Sequence, residues 1–171
     1  MSPVPSRTPG SGDMFLSVTG ASGTFNGEAR DATHKNKIEV LAWSWGMQGR
    51  AALGGGGATG KATVRELHVT KRVDKASTAL MAAVRHNEKI KEAILTVRKA
   101  GTDPLEYLTI KIENARVMSL DLQAGDEENS PSVFERVTFT FNKITVTYTP
   151  QGADGGAKAA STFLDQWENL Q

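Results

Sequence analysis

Two strand-like stretches flank a segment of almost pure glycine, and this limits the chain more than any other feature. The first stretch, Ile38 to Met47, is apolar and contains Trp43 and Trp45. The second, Val64 to Val73, alternates Leu67, Val69 and Val73 with His68, Thr70 and Arg72. Between them runs Gly54-Gly55-Gly56-Gly57-Ala58-Thr59-Gly60-Lys61. Glycine takes either sign of φ and loses the most conformational freedom on ordering. The segment therefore reads as a long, flexible, projecting arm between two β-strands.

Alternation places Leu41, Trp43, Trp45 and Met47 on one face of the first strand. Val40, Ala42, Ser44 and Gly46 fall on the other. A tryptophan buries ~150–250 Å². At ~25 cal/mol/Å² each indole contributes about 4–6 kcal/mol as an upper bound. Trp43 and Trp45 are accordingly expected to anchor the core, and Ser44 to point away from them.

The rest of the chain is also strand-rich. Met14 to Val18 reads as a strand and Ala21 to Asn36 as a glycine-punctuated loop. Asp74 offers an N-cap for a helix over Ala76 to His86, with Leu80 and Val84 on one face and Asn87 as its stop. Ala93 to Val97 is a strand. Leu108, Ile110, Ile112, Met118, Leu120 and Leu122 share one phase of a strand so long that it should bend near Asn114. Val137, Phe139 and Phe141 hold one phase, and Ile144, Val146 and Tyr148 the other, so a bulge is expected at Asn142-Lys143. Ser161 to Leu170 fits a short helix, capped at Ser161 or Thr162, or a terminal strand equally.

Strands with one helix and no βαβ rhythm predict a mainly β fold: an antiparallel β-barrel of two packed sheets with one α-helix and the glycine-rich arm. Residues 1–13 read as a disordered lead-in, 14–156 as a single barrel domain and 157–171 as a tail.

The chemical candidates are weak. Gly55 to Lys61 resembles a phosphate loop, but Ala62 stands where magnesium binding needs serine or threonine, and a strand follows where a helix is required. His34, His68 and His86 lack metal-ligand spacing and read as surface residues. Asp126-Glu127-Glu128 reads as a solvated acidic turn. No cysteine is present, which excludes disulfides and thiolate metal sites. A net charge of +1 gives no pull toward nucleic acid or anionic membrane. No apolar run is long enough to span a bilayer, and the start lacks the apolar core of a secretory signal. No catalytic residues, metal or cofactor are expected, and no enzymatic activity.

The series Val40-Leu41-Ala42-Trp43-Ser44-Trp45-Gly46-Met47, with the glycine loop ending Gly60-Lys61, resembles the haemolysin-coregulated protein (Hcp) family. These are the tube proteins of bacterial type VI secretion systems. Thr33-His34, Thr70-Lys71, Val73-Asp74-Lys75, Leu95 to Gly101, Glu106-Tyr107-Leu108, Val146 to Gln151 and Ala153-Asp154-Gly155 extend the resemblance from about Met14 to Gly156. It implies a homo-hexameric ring, stacking of rings into a secreted tube, and effector proteins carried in the lumen. It also implies work alongside sheath and spike components, and export from the bacterial cytoplasm without a signal peptide. Gly54, Gly55, Gly56, Gly57, Ala58, Thr59, Gly60 and Lys61 match the family's arm, which contacts neighbouring subunits or rings. Ser44 matches a position facing the lumen. The tail from Ala159 departs from the expected ending. The alternative is a phage-tail-tube-like or stand-alone secreted β-barrel acting as an effector or adaptor.

Overall fold

The computed structural model describes residues 13–49, 62–99, 105–124 and 132–168. In chain order the strands are β1 (Met14–Gly20), β2 (Gly23–Thr24), β3 (Ile38–Ser44), β4 (Met47–Gln48), β5 (Thr63–Val64) and β6 (Leu67–Arg72). The helix α1 (Ala76–Arg85) follows, then β7 (Ile90–Arg98), β8 (Glu106–Ala124), β9 (Val133–Tyr148) and β10 (Ser161–Gln166).

Six of these strands close on themselves. β1 pairs with β3 and β7, β7 with β8, β8 with β9, β9 with β6, and β6 with β3. Every pairing is antiparallel. The expected antiparallel barrel with one helix is the fold observed. β10 lies along the Lys143 to Tyr148 half of β9, which settles the open choice for this segment as a strand. β4 and β5 form a separate two-stranded ribbon that prolongs the β3–β6 hairpin.

The core is filled by the inward phase of the barrel strands. Leu16, Val18, Ile38, Val40, Leu67, Val69, Leu95, Ile110, Ile112, Val137, Phe139 and Ile144 are buried in one cluster, with Leu80 and Ala83 of α1 packed into it. Asp74 starts the helix as its side chain predicts: its carboxylate accepts the Ala76 N–H at 2.9 Å, and its own N–H donates to Ser77 Oγ at 2.9 Å. Asn87 ends the helix at φ 51°, and the Glu88 N–H returns to the Ala83 carbonyl at 3.0 Å, the bond expected of a left-handed stop.

Strict alternation misjudged several faces. A register shift between Val40 and Ala42 puts Val40 on the same side as Trp43. Trp43 and Trp45 are only partly buried and pack against the edge of the core, whose fully enclosed aromatic side chain is Phe139. In β8, Asn114 has φ 50°, and the inward phase passes from Ile112 to Ala115 and Val117. A second shift between Val117 and Ser119 expels Met118, which is 58% exposed. Leu122 keeps the inward phase but reaches past the core, and is 54% exposed. The change of buried phase at Asn142-Lys143 is present, since Phe141 and Ile144 are both buried, but the expected bulge is not: β9 keeps its register with β8 from Ile144 through Phe141, and the phase changes on both strands together beside Asn114 at φ 50°.

His34 is also not a surface residue. It is buried outside the barrel, stacked on Phe15 with ring centroids 4.5 Å apart. The loop carrying it folds back on itself at Gly27, where an added Cβ would lie 2.5 Å from the Lys37 carbonyl oxygen.

Candidate functional site

Part of the barrel wall is a sheet of four strands in the order β3, β6, β9, β8, using the first half of β9 and the second half of β8. Its outward phase is polar and aligned across the strands. Ser44 lies opposite His68, His68 opposite Thr138, and Thr138 opposite Ser119. The next row is Ala42, Thr70, Arg136 and Asp121. Ser44 is exposed, on the face opposite the one that packs Trp43 against the core. His68 Nδ1 and Thr138 Oγ1 are 3.0 Å apart, which ties the imidazole to its neighbour in the row. Small and polar side chains give this face little apolar area to hide.

Both margins of the sheet lack a strand partner among the described residues. β1 pairs with β3 only at Ile38 and Glu39, which leaves the far side of Leu41 to Ser44 unpaired. β7 pairs with β8 only as far as Ala115, which leaves the far side of Arg116 to Leu122 unpaired. The helix packs against β8, but a helix cannot complete a ladder. Unpaired strand edges are templates for another chain.

The sheet is stiffened from beneath. Lys71 on β6 and Glu135 on β9 face each other in the ladder and form a fully buried ion pair. Asp74 lies 2.9 Å from the same ammonium, and Ser77 donates to Glu135 at 2.8 Å. The cluster ties the helix N-terminus to the sheet. Lys71 and Glu135 themselves have no solvent exposure, so the pair offers nothing to a substrate.

A second polar group holds the loop that covers β1. Arg98 donates to Asp31 at 2.5 Å and stacks over the Phe15 ring, 5.0 Å from its centroid. This hydrogen bond, helped by those from Thr33, holds the Asp31 carboxyl well below the usual carboxylate range and raises Arg98 in turn. His34 Nδ1 lies 2.9 Å from Lys37 Nζ and its Nε2 2.5 Å from Glu106. A lysine ammonium only donates, so Nδ1 accepts and the Nε2 hydrogen goes to Glu106.

No group of three or more metal-ligating side chains occurs among the described residues, and no helix among them is long and apolar enough to cross a membrane. Gly54, Gly55, Gly56, Gly57, Ala58, Thr59, Gly60 and Lys61, expected as an arm, lie outside the described residues, as does the acidic turn at Asp126. The sequence isolated Ser44 but not the His68, Thr138 and Ser119 beside it. Phase is legible along a strand; the register that aligns four strands is not.

The family model described as "Type VI secretion system effector, Hcp" matches residues 15–148, which is the barrel from β1 to β9. Protein hcp1 of Pseudomonas aeruginosa is 40% identical over 146 residues, covering 84% of this chain and 86% of that protein. A solved type VI secretion system effector from Yersinia pestis is 33% identical, with a TM-score of 0.67 over 88% of this chain and 98% of its own. Another solved type six secretion system protein is 27% identical, with a TM-score of 0.76 over 86% of this chain and 91% of its own.

Proposed function

This chain belongs to the Hcp family of the type VI secretion system, and from that premise we propose that it is the repeating subunit of the secreted inner tube. Copies assemble head to tail into a ring, and rings stack into a tube that sheath and spike components drive out of the cell. The observation that carries this reading is the pair of unpaired margins on one sheet, Leu41 to Ser44 at one side and Arg116 to Leu122 at the other. Two different edges on one molecule favour heterologous contact, which closes into a ring when the rotation closes. Strand direction alternates across β3, β6, β9 and β8. A β8 margin meeting the β3 margin of the next copy, turned about an axis along the strands, keeps that alternation. The sixfold number comes from the family.

The wall of such a ring is the row of Ser44, His68, Thr138 and Ser119, so Ser44 is assigned contact with cargo in the lumen. A small polar lining suits transient passage of folded effector proteins, with no apolar surface to trap them. The segment Gly54 to Lys61 is assigned to contact between subunits or rings. The work is structural rather than enzymatic, and its site is outside the cell after export. Electron microscopy of the purified chain tests this reading. Closed rings with a central channel are expected; a strictly monomeric particle at high concentration overturns it.

A further inference from the structure

The polar face of the four-stranded sheet carries one more row beyond Thr138 and Ser119. There Arg116 of β8 lies opposite Thr140 of β9. Thr140 is two residues along β9 from Thr138 and returns to the same face, and residues directly opposite in a ladder share a face. Both side chains are part-exposed. Beside them the backbone turns left-handed at Asn114, φ 50°, and breaks the flat wall. A cleft of about 140 Å³ opens here, lined by Asn114, Arg116, Thr140 and Phe141. The two arginines of these rows differ in their company. Arg136 has the carboxylate residue Asp121 opposite it, whereas Arg116 has a threonine in that place. Arg116 gives one N–H to its neighbour's carbonyl, at Ala115, over 3.2 Å. No carboxylate among the described residues pairs with it.

We propose that Arg116 and its cleft grip cargo, and that the group gripped is a carboxylate on the surface of an effector protein. This rests on the tube reading, which turns the polar face toward the lumen, and adds to it the class of cargo: proteins with acidic surfaces. The chemistry selects the ligand. A guanidinium presents a planar fork of donors that matches a carboxylate. The Thr140 hydroxyl and the Asn114 amide add donors on either side of it. A nucleic acid strand fits less well. It needs a run of cations and aromatic rings for its bases. The rows of this face hold no Phe, Tyr or Trp, and Asp121 stands among their cations. A part-exposed ion pair is weak and screened by salt. Repeated from every copy around a ring, such pairs add up to retention without any one tight contact. Cargo is then held loosely enough to leave.

The test uses rings of the full chain and three fluorescent probes: an oligoglutamate peptide, an oligolysine peptide and a neutral glycine-serine peptide. Anisotropy should show the oligoglutamate alone binding, with a Kd that rises with salt. Arg116→Gln should weaken that binding about tenfold, while melting temperature and ring yield stay unchanged. Arg116→Lys should keep most of it. Arg116→Glu should exchange the preference, losing oligoglutamate and gaining oligolysine, which a merely structural role for Arg116 would not produce. Equal binding by Arg116→Gln overturns the grip and leaves the ring intact, as does oligoglutamate binding no tighter than the neutral peptide. Should Arg116→Gln fail to close rings, a salt titration of the unaltered rings decides instead, and binding indifferent to salt overturns the grip. An oligothymidylate that binds as tightly as oligoglutamate, and is lost in the same variant, overturns the assignment to protein cargo. Absence of rings from the unaltered chain overturns the tube reading, and the grip with it.

Discussion

The ammonium of Lys71 meets the carboxylate of Glu135 inside the barrel, and neither side chain has any solvent exposure. Removing one partner leaves a charge with no water to solvate it. Lys71→Met or Glu135→Leu alone should therefore destabilise the fold by about 3–5 kcal/mol. The double variant, with two apolar side chains of similar size, should recover much of the loss. Denaturant melts of the four proteins form a double-mutant cycle that reads the coupling. Independent, additive losses would remove the pair as the tie between β6 and β9.

Asp31 supplies a pH dependence. Its carboxyl is depressed in the folded protein, chiefly by the hydrogen bond from Arg98, from an ordinary value of 3.8. A depressed acid binds its proton more readily when the chain is unfolded, so acid favours unfolding. The stability it supplies is fully present above 3.8, falls as pH drops from there toward the native value, and is gone below it. Asp31→Asn should accordingly be less stable than the unaltered protein at pH 7. The gap should narrow as melts are repeated at successively lower pH. A gap of constant size would mean that the Asp31–Arg98 contact works through packing alone.

The barrel and its helix were legible in the sequence because long alternations such as Val137, Phe139 and Phe141 report a buried face directly. The helix limits were legible because Asp74 and Asn87 each satisfy a specific backbone need. What was not legible depends on contacts between strands. The shift after Val117 exposes Met118 although its spacing from Leu120 reads as core. The two tryptophans promised the largest burial, yet their strand leaves the barrel just beyond them, so they pack at its margin. Ser44 could be set opposite Trp43 by alternation, whereas His68 and Ser119 join its row only through pairing of residues far apart in the chain.

Ser44 tests the polar face. It is exposed in the single chain, so Ser44→Gln should leave the melting temperature and the yield of rings unchanged. Effector co-purifying with the rings should fall, because one long amide side chain from every copy would crowd the proposed channel. Binding is best followed by pull-down with a tagged effector. Loss of rings instead of loss of cargo would place Ser44 in a packed contact between copies.

Met118 separates folding from assembly. It sits on the unpaired margin of β8 and, at 58% exposure, contributes little to its own chain. Surface substitutions of this kind change stability by about 0.5 kcal/mol or less. Met118→Lys should therefore melt with the unaltered protein. The same change sets a charge on the edge that the proposed ring pairs with β3 of the next copy, and lysine on an edge strand is a known block to pairing. Light scattering after size exclusion should find the ring population displaced toward monomer, more so on dilution and less at high salt, where the charge is screened. A variant that melts normally and still closes every ring would move the contact between copies away from β8, and the unpaired stretch of β3 from Leu41 to Ser44 would then need another partner.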